Sequence, residues 1–380
     1  MLRCPKCGFC RSVLPMAMRE AKFGAQCPSG ERWKFESYYA SGRTEVGIAL
    51  LEGRLKWTDK LNRILFACPT CGLCDWWCEN ISRHHPLKML EELRKRYVEE
   101  LGPLPGHKRF LDNIEERHNA YVEPHEERFV WMPEGIKPPA KADVMYFVGC
   151  TSSYREIEIA QATVEVLDKL GVDFGVMWGE EWCCGSPAFR TGNIDVAKKA
   201  MQHNLDYLKK IGAKTLITEC PGCYRAFKDV AAYDLPEPEF EILHVTELIE
   251  DRVKELAKDG KLKKIEEKWA YHDPCHLGRH MMVYEPPRNV LKAIPGLELL
   301  ELPRNRQNAW CCGSGGGVKA SYPDFAIWAA SERLDEVDYV GTKSLTTPCP
   351  FCRRNLRDAS VAGERRIEVR DVMEILLRAL

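Results

Sequence analysis

The chain has 380 residues, enough for two or three domains with a real core, and its 55 lysines and arginines balance 56 aspartates and glutamates. That balance leaves no global basic field for nucleic acid or an anionic membrane surface. No run approaches the roughly 18 apolar residues of a spanning helix, and the opening MLRCPKCGFC lacks a signal peptide's apolar stretch, so a cytoplasmic protein is expected, peripheral on a membrane partner at most.

Residues 1–101 carry eight of the 18 cysteines and end in an amphipathic helix, 87-LKMLEELRKRYVEEL-101. Residues 102–141 hold GPLPG, YVEPHEE and MPEGIKPPAK, and read as a linker with a short helix inside it. From 142 onward short apolar strands alternate with helices. Strands are predicted at 144–148, 172–178, 214–218, 268–272, 297–302 and 339–347. Helices are predicted at 155–170, 194–211, 224–232, 245–258, 287–294, 324–337 and 370–379. This alternation predicts α/β lobes with parallel sheets covered by helices.

The second half repeats itself. The segment 215-TLITECPGCYRAFKD-229 aligns with 344-SLTTPCPFCRRNLRD-358, and 146-YFVGC-150 with 271-YHDPC-275. Two related lobes, 142–262 and 263–380, follow. Each has five cysteines: Cys150, Cys183, Cys184, Cys220 and Cys223, then Cys275, Cys311, Cys312, Cys349 and Cys352. Each cysteine sits after a predicted strand or in a turn leading to a helix, and strand carboxyl ends in such layers gather ligands in one place. Gly185 and Gly313 are expected to let the backbone turn tightly beside inorganic sulfide.

In a reducing compartment clustered cysteines read first as metal ligands. The adjacent pairs in 183-CCGSPA-188 and 311-CCGSGGG-317 suit neither an ordinary disulfide nor a tetrahedral zinc site, whose thiolates usually stand farther apart. Nearer the N-terminus, Cys68, Cys71, Cys74 and Cys78 have the C-x2-C-x2-C-x3-C spacing of a bacterial-type cubane site, whose fourth cysteine ligates the other cluster. Cys4, Cys7 and Cys10 start a second such motif, stretched before Cys27-Pro28. The crossed rule assigns Cys4, Cys7, Cys10 and Cys78 to one cubane and Cys68, Cys71, Cys74 and Cys27 to the other. Three cysteines at two-residue spacing, twice over, favour iron–sulfur over a pair of zinc ribbons.

The five-cysteine sets resemble the cysteine-rich CCG domain of heterodisulfide reductases, through Cys150, Cys183-Cys184-Gly185 and Cys220-Pro221-Gly222-Cys223, and again through Cys275, Cys311-Cys312-Gly313 and Cys349-Pro350-Phe351-Cys352. The N-terminal cubane pair resembles the family's C-type component and the repeat its B-type component, so nearly all of the chain is similar to the fused D-type subunit. The resemblance implies a helical ferredoxin-like domain with two cubane [4Fe-4S] clusters, and one noncubane [4Fe-4S] cluster in each CCG lobe. It also implies the chemistry. Electrons pass through the cubanes to noncubane clusters that flank a disulfide of the CoM-S-S-CoB type, and each sulfur is captured by cluster iron before protonation to thiol. The implied donor is a membrane cytochrome b or a soluble flavin subunit, with no nucleic acid involved. The stretched first cubane motif departs from the family pattern. The competing reading is an electron-transfer subunit of a quinone-linked flavoprotein dehydrogenase of lactate, glycolate or glycerol 3-phosphate. Relatives of that kind often lose cysteines from one set, and both sets are complete here.

Other candidates are fewer. His276, next to Cys275, either touches substrate as a proton donor or only packs its turn. His272 is expected to hydrogen-bond its own Asp273-Pro274 turn. The glycines at 313 and 315–317 lack the Lys-Ser/Thr and the spacing of a nucleotide loop. Trp76 and Trp77 are expected to shield a cubane from water.

Overall fold

Eight short strands, four in each lobe, organise the second part of the chain. The computed structural model describes residues 4–12 and 20–380, so part of the stretched gap between Cys10 and Cys27 lies outside it. In the first lobe β1 (Val144–Tyr146), β2 (Phe174–Val176), β3 (Thr215–Thr218) and β4 (Glu241–His244) pair in the order β2-β1-β3-β4. In the second, β5 (Lys268–Tyr271), β6 (Glu298–Glu301), β7 (Ser344–Thr346) and β8 (Glu368–Arg370) pair in the order β6-β5-β7-β8. Every pairing is parallel. The central strands are Val/Ile/Leu/Tyr-rich and buried, as a sheet covered on both faces requires.

Sequence reading missed one edge strand in each lobe, β4 and β8. β4 runs directly into the helix Val245–Lys258, and β8 has one buried apolar residue, Val369, between charged neighbours. The expected strand at 339–347 begins later, because the helix Pro323–Tyr339 runs on until Gly341 turns the chain with φ +76°. The helix Pro350–Ala362 was not predicted, although the repeat places it opposite Pro221–Lys228.

The lobes are joined by a shared core. Helix Ile157–Lys169 of the first packs on Val372–Ala379 of the second, and Val245–Lys258 packs on Glu285–Lys292. Val164, Leu167, Ile249 and Val253 meet Val290, Leu291, Met373 and Leu376 in one apolar cluster. Glu156 of the first lobe, fully buried, accepts from Arg353 and Arg357 of the second. Burial of this much apolar surface across the joint, with the ion pairs inside it, makes the lobes one unit.

The N-terminal part is helical, with Ala40–Leu51, Leu73–Ser82 and Pro86–Leu101 as its longest pieces. Arg94, fully buried on Pro86–Leu101, clamps it to both lobes. Its guanidinium donates to the carbonyls of Leu65 (3.0 Å) and Cys68 (2.8 Å), to Arg190 of the first lobe (2.6 Å) and to Gly316 of the second (3.1 Å). The segment expected as a linker holds the helix Pro105–Arg117, whose Leu111 and Ile114 enter the first lobe's core.

Candidate functional site

Each lobe sends its five cysteines to the carboxyl edge of its sheet by the same local devices. Cys150 and Cys275 follow the central strands β1 and β5. Cys220 and Cys349 are N-caps of the helices that follow β3 and β7, with Pro at the first helical position. A thiolate there meets the positive end of the helix, and Cys349 Sγ accepts from the Cys352 N–H at 3.4 Å. The adjacent pairs Cys183-Cys184 and Cys311-Cys312 close each set from the remaining loop.

Gly185 and Gly313 do turn in the left-handed region, with φ +76° and +86°, but not for the reason expected. A Cβ at Gly185 would stand 2.5 Å from the Ala197 carbonyl oxygen, and one at Gly313 would stand 2.5 Å from the Ala329 methyl. Both glycines make room for a covering helix, and neither lines the cavity the cysteines face.

The decisive geometry is that all ten of these cysteines line one cavity of about 570 Å³ between the lobes. His276, Arg109, Arg155, Arg190, Lys319 and Arg354 line it as well, and no aspartate or glutamate does among the described residues. Arg155 pairs with Glu123 (2.6 Å), Arg190 with Glu91 (2.6 Å) and Lys319 with Asp358 (2.6 Å). Arg109 and Arg354 meet no carboxylate within 4.0 Å among the described residues. Buried sulfurs this close share protons: hydrogen bonds from Cys183 and then Cys223 hold the Cys184 thiol down at about 6, below its ordinary range. A donor set of many convergent thiols, ringed by cations, fits an anionic iron–sulfur group and suits no hard cation.

The N-terminal cysteines gather in two further places. Cys4, Cys7, Cys10 and Cys78 line a cavity of about 240 Å³ with His84, His85 and Met89. Cys27, Cys68, Cys71 and Cys74 surround a second, tighter one, which Cys10 also borders. Burial, then the neighbouring Cys10, Cys4 and Cys7, pushes the Cys78 thiol up to about 12, as expected of sulfurs brought together without a metal to hold them as thiolates. Trp77 stacks on Phe9 of the Cys7–Cys10 loop, with ring centroids 6.0 Å apart.

A 4Fe-4S dicluster domain matches residues 1–81, and a cysteine-rich domain matches residues 144–228 and 269–357. The D-type subunit of the dihydromethanophenazine:CoB–CoM heterodisulfide reductase of Methanosarcina acetivorans is 36% identical, over 99% of this chain and 93% of its own length. This chain belongs to the family of heterodisulfide reductase D-type subunits. It is an iron–sulfur protein with 4Fe-4S clusters, of an oxidoreductase family. The B-type subunit of the CoM/CoB fumarate reductase of Methanothermobacter marburgensis is 32% identical over 82% of the chain but only 61% of its own length. The dehydrogenase-linked alternative is the less favoured reading. A hypothetical protein from Helicobacter pylori shares the fold, with a TM-score of 0.53 over 89% of this chain and 67% of its own, at 13% identity.

In this D-type chain the tighter N-terminal site abuts the second lobe. Cys71 Sγ lies within hydrogen-bonding reach of Cys311 Sγ. Arg279, buried, donates from Nε to the Cys71 carbonyl (2.9 Å) and from Nη1 to that of Ala309 (2.5 Å). The glycine run explains how the two come so close. A Cβ at Gly315 would stand 2.7 Å from the Pro69 carbonyl oxygen, and one at Gly316 would stand 2.8 Å from that of Cys68. The run seats the cubane loop against the cysteine pair. Spacing alone carried no sign of this contact.

His276 lines the cleft with Nε2 facing no hydrogen-bond partner. Burial, reinforced by Arg225 and Arg190, holds it well below the ordinary histidine value, so the ring is neutral at neutral pH. Its ring centroid is 5.0 Å from that of His280, whose Nε2 donates to the Thr70 carbonyl at 3.1 Å. His272 does not bond its own turn. Its Nδ1 accepts from Arg333 Nε at 3.0 Å, and the ring faces Cys312 and Cys352.

Proposed function

We propose that this chain is the catalytic iron–sulfur subunit of a heterodisulfide-reductase-type complex, reducing a disulfide to two thiols in the cleft between its lobes. The observation that carries this reading is the single cavity lined by both five-cysteine sets. Two separate electron-storage sites would have no need to face one another across an open cavity. A disulfide consumes two electrons and two protons to give two thiols, and a cluster at each sulfur supplies the electrons one at a time.

In this reading Cys150, Cys183, Cys184, Cys220 and Cys223 hold one noncubane cluster, and Cys275, Cys311, Cys312, Cys349 and Cys352 hold the other. Cys4, Cys7, Cys10 and Cys78 hold one cubane, and Cys27, Cys68, Cys71 and Cys74 hold the second. Electrons arrive through the outer cubane, pass to the one beside Cys311, and so reach the second lobe first. His276 touches the disulfide from the second lobe and donates a hydrogen bond toward the sulfur on which charge develops. Arg109 and Arg354 select a substrate with anionic groups on its halves, since cations without carboxylate partners in a cleft attract anions.

The donor in this reading is a membrane cytochrome of the b type. The D-type relative is named for dihydromethanophenazine, a reduced carrier, and no described helix here is long and apolar enough to cross a membrane. The haem must therefore sit on a partner. Protein isolated anaerobically with its partners from detergent-solubilised native membranes will carry b-type haem and about 16 iron atoms per copy of this chain, four in each of four clusters. Recovery of the whole protein in a soluble flavoprotein complex free of haem contradicts the partner, and zinc in excess of iron contradicts the clusters.

A further inference from the structure

The lobes are copies, so positions where they differ chemically beside their cysteine sets are informative. Phe147 and His272 are equivalent. Each is the first residue after its central strand, and each donates its backbone N–H to the third strand of its sheet, Phe147 to Ile217 O (2.8 Å) and His272 to Thr346 O (2.9 Å). In the first lobe the position is apolar: Phe147 packs edge-on to Phe227, with ring centroids 4.9 Å apart. In the second it is an imidazole. A ring nitrogen of His272 and the sulfurs of Cys312 and Cys352 lie within 4.8 Å of one another.

The tautomer follows from the neighbours. Arg333, fully buried, donates from Nε to His272 Nδ1. That nitrogen must present its lone pair, so the proton of the neutral ring is on Nε2. Burial holds the ring below the ordinary histidine value and keeps it neutral. Arg333 is fixed in turn by the Arg304 carbonyl (2.7 Å) and by Glu336 (2.8 Å). His272 Nε2 has no hydrogen-bond partner. With Nδ1 taken, Nε2 is left to face the sulfurs.

We infer that His272 is a positioning residue for the second lobe's cluster, donating an Nε2–H···S hydrogen bond to the Cys312 thiolate and raising that cluster's reduction potential relative to a lobe with phenylalanine there. Hydrogen bonds to ligand sulfurs disperse thiolate charge and stabilise the reduced, more negative state. The first lobe uses a different device, since Arg128 approaches Cys150 Sγ at 3.7 Å while paired with Glu181. The clusters are thus tuned through different thiolates, and the histidine serves the lobe beside Cys71, where electrons first arrive. This inference rests on the cluster reading above.

The test uses the full chain, loaded anaerobically, in a Cys184→Ala background that leaves the second lobe's set as the one complete five-cysteine set. His272→Phe installs the residue the other lobe already carries. Its expected effects are full retention of second-lobe iron, a shift of that cluster's midpoint to more negative potential in a redox titration followed by electron paramagnetic resonance, and loss of a weak nitrogen hyperfine coupling in 15N-histidine-labelled protein. His272→Gln, which keeps an N–H donor, should recover part of the potential shift. An unchanged midpoint in iron-replete His272→Phe, or a nitrogen coupling strong enough for direct iron ligation, overturns the inference. Absence of any five-cysteine cluster signal in the parent protein instead overturns the cluster reading itself.

Discussion

Cys184→Ala and Cys312→Ala each abolish disulfide reduction while the N-terminal clusters persist. Each change removes one thiolate from a buried set and touches none of the eight N-terminal cysteines. Cys184 is held among Cys183 and Cys223, and Cys312 among Cys311, Cys352 and His272. The side chain lost is one atom in an otherwise intact wall, so the fold should survive. The rate should not, because members of an interdependent catalytic set fail together; a fall of about 10³-fold or more is expected. Thiol release measures the loss, and paramagnetic resonance of the reduced protein checks that both cubane signals remain. Undiminished reduction by either variant would assign that lobe a structural role alone.

Cys74→Ala separates electron supply from chemistry. Cys74 stands with Cys27, Cys68 and Cys71 around the cavity that borders the second lobe, and Cys71 reaches Cys311. Without that cluster the outer site, around Cys4, Cys7, Cys10 and Cys78, has no neighbour to hand electrons to. Reduction driven by the native partner should fall to background, with a loss of about four iron atoms per chain. A small reduced viologen, able to enter the cleft, should still drive the reaction. Full partner-driven turnover in this variant would mean that electrons enter the lobes by another route.

What could be read from the sequence was what is local in it. Metal ligands come from short loops at fixed spacing, so the cysteines grouped by spacing are the ones found around common cavities. The parallel lobes were equally visible, because β1, β3, β5 and β7 each have a buried apolar run followed by a cysteine turn. Edge strands β4 and β8 were not, because a three- or four-residue strand with one or two buried positions has no period to detect. The helix Pro350–Ala362 was legible only by carrying the repeat through, with Cys349-Pro350 matching the Cys220-Pro221 cap. Contacts between distant segments left no trace in the spacing. The seat of the Cys68–Thr70 loop on Gly315 and Gly316 looked like a poor phosphate loop, and the Arg333–His272 bond depends on a helix far along the chain. The helix at 105–117 passed for part of a linker because its polar face is what the sequence displays, whereas Leu111 and Ile114 are buried and Arg109 faces the cleft.

The central claim, that the two lobes enclose one disulfide-reducing site, is tested most directly by counting thiols against electrons. Iron-replete protein, mixed anaerobically with reduced viologen and a mixed disulfide bearing an anionic group on each half, should release two thiols for every two viologen radicals oxidised. It should do so over many turnovers, with an uncharged disulfide of similar size a poorer substrate. Iron-replete protein that passes electrons to an acceptor yet releases no thiol from any disulfide would contradict the account, and would make the cleft a place where electrons are stored.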